Sequence, residues 1–167
     1  GKEMISFICP VCKKELTDSG SLYRCGNGHC FDKSKFGYVN LLQSQKSSAK
    51  RHGDDRLMIR ARRDFLDAGC YGFLLDAVCE ICEKYLPDGG NILDAGCGEC
   101  YYSAGIKRHF TDCDKKLFCT GIDISKDALE FASKRKSSIP LAVASLFDLP
   151  FADESFDMLL NIFSPEA

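Results

Sequence analysis

The chain has 167 residues, 45% of them hydrophobic, enough to bury a core for one ordinary domain or for a small module joined to part of a larger one. Eleven cysteines make up about 7% of it, below the ~8–10% of a secreted disulfide scaffold, and no run approaches the ~18 apolar residues of a membrane span. The net charge of −2 divides unevenly: residues 1–63 hold 13 Lys and Arg against 6 Asp and Glu, giving +7, while the remainder holds 9 against 18, giving −9.

That asymmetry suggests a basic segment that meets a polyanion, joined to an acidic scaffold or catalytic domain. The opening GKEMISFICP shows no signal-peptide core. The expectation is therefore a cytoplasmic protein with reduced thiols and no membrane partner.

The first predicted unit is a metal module over residues 1–42, on the spacing Cys9-x2-Cys12-x12-Cys25-x3-His29. A two-residue gap lets two thiolates turn toward one ion, and two such knuckles about a dozen residues apart complete a tetrahedron through a short β-hairpin. Cys30 stands beside His29, so the fourth ligand is either histidine or cysteine. Four protein ligands leave no open position, which makes the zinc structural. Around it lie Lys13, Lys14, Tyr23, Arg24, Phe31, Lys33, Lys35, Phe36 and Tyr38, residue types that contact phosphates and stack on unpaired bases. Phe7, Phe31 and Tyr38 are the first of the aromatics assigned to the module's own core.

Residues 43–72 read as a basic linker and connecting helix. The stretch QSQKSSAKRHGDDR is polar, and from Asp54 the residues Leu57, Met58, Ala61, Phe65 and Leu66 recur at helical spacing until Gly69. A second helix runs from Tyr71 through FLLDAVCEICEKYL to Pro87. Cys79 and Cys82 fall three apart on it and share a face, which favours core packing over metal or redox work.

Residues 73–167 form the third unit, an α/β domain. NILDAG, LFCTGID, PLAVAS and FDMLLNIF read as strands, and the segments from Tyr101 to Phe110 and from Ser125 through SKDALEFASKRK read as helices. This is the doubly wound, Rossmann-like plan, in which ligands bind outside the carboxyl ends of the strands. In the first turn, Asp94-Ala95-Gly96-Cys97-Gly98-Glu99-Cys100, glycines 96 and 98 permit close backbone approach. The third glycine of a dinucleotide fingerprint would fall at Tyr101, so a nicotinamide cofactor is disfavoured.

The same run resembles the D-x-G-x-G-x-G motif of class I S-adenosylmethionine-dependent methyltransferases, with Cys100 in the last glycine position. The resemblance implies that the glycine turn faces the methionine part of the cofactor. It also implies that Asp123, ending the second strand, holds the ribose hydroxyls, and that Ser145 and Leu146 flank the adenine. Taken together, the knuckles, FDKSKFGYVNLL, ARRDFLDAGCY, LDAGCGECYY and NIFSP resemble the bacterial 23S ribosomal RNA guanine-N1 methyltransferase family, whose members include macrolide-resistance enzymes. That resemblance implies zinc on Cys9, Cys12, Cys25 and His29, and cofactor contacts from Tyr71, Gly98 and Glu99. It implies 23S ribosomal RNA as the partner, and leaves pairing into a homodimer open.

Guanine N1 carries a proton at neutral pH, so that proton must leave, or the anion spreading onto O6 must be stabilised, as the methyl group arrives. Asn161 and Phe163 are the candidates for placing the base, with Ser164 and Pro165 shaping the rim; no general base is identified. The family's methyltransferase fold carries seven strands against the four read here, so the chain is expected to be an N-terminal fragment that transfers no methyl group alone. The competing readings are a small-molecule methyltransferase and a non-catalytic RNA-binding module with a vestigial cofactor site.

Overall fold

The computed structural model describes residues 3–43 and 72–162. The expected basic helix from Asp54 lies outside them, as do Tyr71, Phe163, Ser164 and Pro165. In chain order the described elements are β1 (Leu16–Asp18), β2 (Leu22–Cys25), β3 (Cys30–Asp32), β4 (Val39–Asn40), α1 (Gly72–Tyr85), β5 (Gly90–Ala95), α2 (Tyr101–Asp112), β6 (Leu117–Asp123), α3 (Lys126–Ser133), β7 (Leu141–Val143) and β8 (Met158–Leu160). Strands β1 to β3 form an antiparallel sheet. The others form a parallel sheet in the order β4-β7-β6-β5-β8.

The alternation of strands and helices expected from the sequence thus builds a Rossmann-like sheet. Strand β5 is buried along its whole length, as a strand covered on both faces must be, and its residues divide between the two layers that cover it. Ile92 faces a core shared with Cys82, Ile106, Phe110 and Leu129 from the three helices. Leu93 and Ala95 face the other way, toward Phe7, Leu16, Tyr23 and Val39 of the N-terminal module. The helices cover one face of the sheet and the metal module covers the other.

Several contacts fasten this second layer. Phe7 meets the Tyr23 ring edge-on and lies tilted against Phe151, each with ring centroids 5.5 Å apart. The Ile8 amide donates to the Pro150 carbonyl at 2.8 Å. Val39 of β4 pairs in parallel register with Ala142 of β7, so the module also supplies the sheet's edge strand. Tyr23, named above among residue types that stack on bases, is instead a core residue here. Phe7 is buried as expected, while Phe31 and Tyr38 are half-buried at the core's margin.

On the helical face, Cys79 and Cys82 are buried packing residues, and burial pushes each thiol up to about 11. Helices α1 and α2 approach closely because residue 105 is glycine: a Cβ there would sit 2.6 Å from a Leu75 methyl. Ser125 caps α3, its hydroxyl accepting the Ala128 amide at 3.1 Å. The helix stops at Ser133 rather than running on through the Lys-Arg-Lys run, because Lys136 and Ser138 both take left-handed backbone angles.

Candidate cofactor site and metal centre

The metal centre is built by two turns. The first knuckle closes as the Lys13 amide donates to the Cys9 carbonyl at 2.8 Å, with Lys13 itself at φ 68°. The second closes as the Gly28 amide donates to the Cys25 carbonyl at 3.0 Å, and Gly28 takes φ +88°. These turns bring the ligand atoms of Cys9, Cys12, Cys25 and His29 within 4.8 Å of one another.

Zinc bonds of 2.0–2.3 Å in a tetrahedron set sulfur–sulfur edges of about 3.8 Å and sulfur–nitrogen edges of about 3.6 Å. Here Cys12 Sγ lies 3.6 Å from Cys25 Sγ, and His29 Nδ1 lies 3.5 Å from Cys9 Sγ and 3.4 Å from Cys25 Sγ. The donor set therefore fits a zinc ion in size and chemistry. The Lys14 backbone amide leads the effects that hold the Cys12 thiol down to about 6, so this ligand is a thiolate at neutral pH. Cys30 is exposed, with its thiol directed to the Gly28 carbonyl at 3.6 Å, which leaves His29 as the fourth member of the cluster.

The candidate cofactor site lies at the carboxyl ends of the parallel strands. Gly96 and Gly98 take φ of 73° and 56°, and Cys100, in the third glycine position, takes 65°, so all three sit in the left-handed region. A Cβ on Gly98 would meet nothing within 4 Å, and the turn is open above it. Beneath, the turn packs tightly on β6, where a Cβ at Gly121 would come within 3.0 Å of Cys97 Sγ. The buried Asp123 carboxylate accepts the Gly98 amide at 2.7 Å and the Ser125 amide at 2.9 Å, which fixes its orientation beside the turn.

Asp94 is fully buried, and desolvation, with a contribution from the charge of Asp123, pushes its carboxyl up to about 6 against the lowering effect of Ser103. A buried carboxylate below an open glycine turn suits a cationic ligand, and the sulfonium of S-adenosylmethionine is one. Ser145 follows β7 next to Asp123, its hydroxyl accepting the Phe147 amide at 3.0 Å, and Leu146 is half-buried. Glu99 is buried and engaged by Arg135, which reaches its carboxylate and donates from Nε to its carbonyl at 3.0 Å. Asn161 is exposed just beyond β8, one residue past the pairing of Leu160 with Asp94, and so stands at the same edge.

The structure thus gathers Asp94, Gly96, Gly98, Asp123 and Ser145 around one turn and gives the Glu99 side chain to Arg135. Sequence reading passed over Arg135 and Ser103. Arg135 lies 36 residues from its partner and looked like the tail of a helix; Ser103 looked like an ordinary helix residue.

Comparison with known proteins agrees with both parts. Residues 7–50 match the family model described as RlmA, N-terminal, a zinc ribbon, and residues 92–166 match a methyltransferase domain. The chain is 35% identical over 165 residues to YxjB of Bacillus subtilis, provisionally named a 23S rRNA (guanine-N1)-methyltransferase, covering 95% of this chain and 56% of that protein. It is 32% identical over 168 residues to the 23S rRNA (guanine(748)-N1)-methyltransferase of Streptomyces fradiae, covering 98% and 58%. A fatty-acid O-methyltransferase of Mycolicibacterium smegmatis is 29% identical over 77 residues, 45% of this chain and 27% of that one.

Among solved structures, one provisionally titled an S-adenosyl-L-methionine-dependent methyltransferase from Methanococcus maripaludis shares the fold. Its TM-score is 0.53 at 16% identity, over 69% of this chain and 53% of that one. The chain spans a little over half the length of the two ribosomal RNA methyltransferases it matches. The chain thus joins a zinc ribbon of the RlmA type to a methyltransferase domain, and along nearly all of its length it is similar to proteins named 23S ribosomal RNA guanine-N1 methyltransferases.

Proposed function

We propose that the protein transfers a methyl group from S-adenosylmethionine to N1 of a guanine in a 23S ribosomal RNA hairpin, in the cytoplasm, with the zinc ribbon helping to engage the RNA. The observation that supports this most is the union of the ribbon with the cofactor fold, because the likeness to a fatty-acid methyltransferase spans only 45% of the chain. When bound, the cofactor supplies an electrophilic methyl group. The chain's own residues orient it: Gly96 and Gly98 admit its methionine part over Asp94, Asp123 accepts its ribose hydroxyls, and Ser145 and Leu146 border its adenine. Asn161 stands where it can read the edge of a base presented at the same rim. A paired guanine must first leave its stack, at a cost of a few kcal/mol that contacts to the flanking RNA offset.

The exposed Lys14, Arg24 and Lys35 of the ribbon supply phosphate contacts, whereas Lys33 is tied to Asp18 at 2.8 Å. Binding to the hairpin should therefore weaken steeply with salt, which a small-molecule methyltransferase has no reason to show. The deciding experiment incubates the intact enzyme with labelled cofactor and ribosomal RNA from cells that lack it, then maps the modified base. Label at guanine N1 is expected, and label confined to another position or to small molecules would sink the proposal. For the cofactor site, Asp123→Asn should lower S-adenosylmethionine affinity about tenfold by calorimetry, since it weakens charge-assisted hydrogen bonds while keeping the side chain's shape.

A further inference from the structure

A second group of metal-binding side chains lies on the helical face of the sheet, away from the ribbon. Glu83 stands in the last turn of α1, His109 in the last turn of α2, and Cys113 caps α2. The close approach of the helices at Gly105 and Leu75 sets this meeting, because His109 follows Gly105 by four residues on one face of α2. The Cys113 amide donates to the His109 and Phe110 carbonyls, both at 3.1 Å, which fixes the thiol relative to the imidazole.

The geometry is that of a metal face. His109 Nε2 lies 3.1 Å from Glu83 Oε1, and Cys113 Sγ lies 3.7 Å from Glu83 Oε1 and 4.0 Å from His109 Nε2. Zinc bonds of 2.0–2.3 Å require edges of about 3.4, 3.6 and 3.6 Å for the same three pairs, so small side-chain rotations complete it. An imidazolium–carboxylate pair explains the first distance but gives no reason for a thiol within reach of both. The carbonyl ends of two helices meet here, adding partial negative charge to that of Glu83. Cys113 is exposed, and the His109 and Glu83 side chains are 38% and 34% exposed, so a hydrated ion can enter.

We propose that Glu83, His109 and Cys113 form a second metal site, taking a zinc-class divalent ion with water in its open position. One carboxylate, one imidazole and one thiolate are borderline-soft donors that favour zinc or cobalt over magnesium or calcium. Such an ion ties the helix that precedes β5 to the helix that follows the glycine turn.

The test titrates cobalt(II) into protein that carries one zinc per chain, in the ribbon, while zinc content is followed by elemental analysis. Cobalt binds such ligands less tightly than zinc, so the ribbon keeps its ion. One further equivalent is expected, with thiolate-to-cobalt charge-transfer absorption. Cys113→Ser should abolish that absorption and His109→Ala should abolish the extra equivalent, both leaving the ribbon zinc and the circular dichroism unchanged. Failure to take up a further equivalent, cobalt gained only as zinc is released, or undiminished absorption in Cys113→Ser would each overturn the proposal.

Discussion

Asp94 is a carboxyl group in surroundings at odds with its chemistry. Its carboxyl, ordinarily near 3.8, is pushed up to about 6 by burial first of all. A raised folded-state value means that the folded protein holds a proton at pH values where the unfolded chain has lost it. The resulting stability is fully present below about pH 4 and is lost as pH rises through about 6. Asp94→Asn, which stays uncharged, should therefore be more stable than the parent at pH 8 by about 2–3 kcal/mol and equal to it near pH 4. Chemical denaturation at the two pH values checks this; a constant difference would show that Asp94 is not the group that titrates. At Cys100 the backbone angle favours glycine, yet the side chain fills the space over Gly121, with Sγ 3.2 Å from where a Cβ there would stand. That contact is how a left-handed residue other than glycine persists in the turn.

At the scale of elements, the strands and helices of the α/β half were legible because they obey strong local rules. Strand β5 centres on the apolar pair Ile92-Leu93 and β6 opens on the apolar run Leu117-Phe118-Cys119, Ser125 is a capping residue in the right place, and the glycine turn separates a strand from a helix. Strand β4 was not legible: two residues carry no periodicity, and their pairing with β7 depends on a partner about a hundred positions away. The same holds for Asn91, which reads as an ordinary polar residue opening a strand. It is 1% exposed, accepting the Ile5 amide at 3.1 Å and donating to the Glu3 carbonyl at 2.8 Å, while the Asp157 carboxylate receives its own amide at 2.8 Å. Asn91→Ala would leave the half-buried Ile5 amide and the Glu3 carbonyl without their partner, and should cost about 1–2 kcal/mol in urea unfolding. Asn91→Asp restores one acceptor but buries a charge, so it should be no better.

For the whole molecule, the charge division read from the sequence gains a spatial meaning. Asp148, Asp153, Glu154 and Asp157 line an open recess of about 630 Å³ beside β8, an acidic surface bordered by the exposed ribbon residue Lys13, whose ammonium lies 3.9 Å from Asp148. What the sequence concealed is that the ribbon is a layer of the same core rather than an appended module, because its inner face is only a handful of scattered side chains such as Phe7, Leu16 and Val39. Metal loss should thus be felt throughout. Chelating the ribbon zinc is expected to lower the melting temperature of the α/β half itself, seen as one calorimetric transition that moves down. A small early transition followed by an unchanged main one would show the layers to be independent.

The parallel pairing of Val39 with Ala142 also bears on how the chain is made. During translation the ribbon emerges before the α/β half, and at ~5–20 residues per second its partner strand follows several seconds later. Throughout that interval the nascent chain leaves Phe7, Leu16 and Val39 without the partners they meet in the finished core, and the arrival of β7 at that edge closes a core that earlier-made residues began.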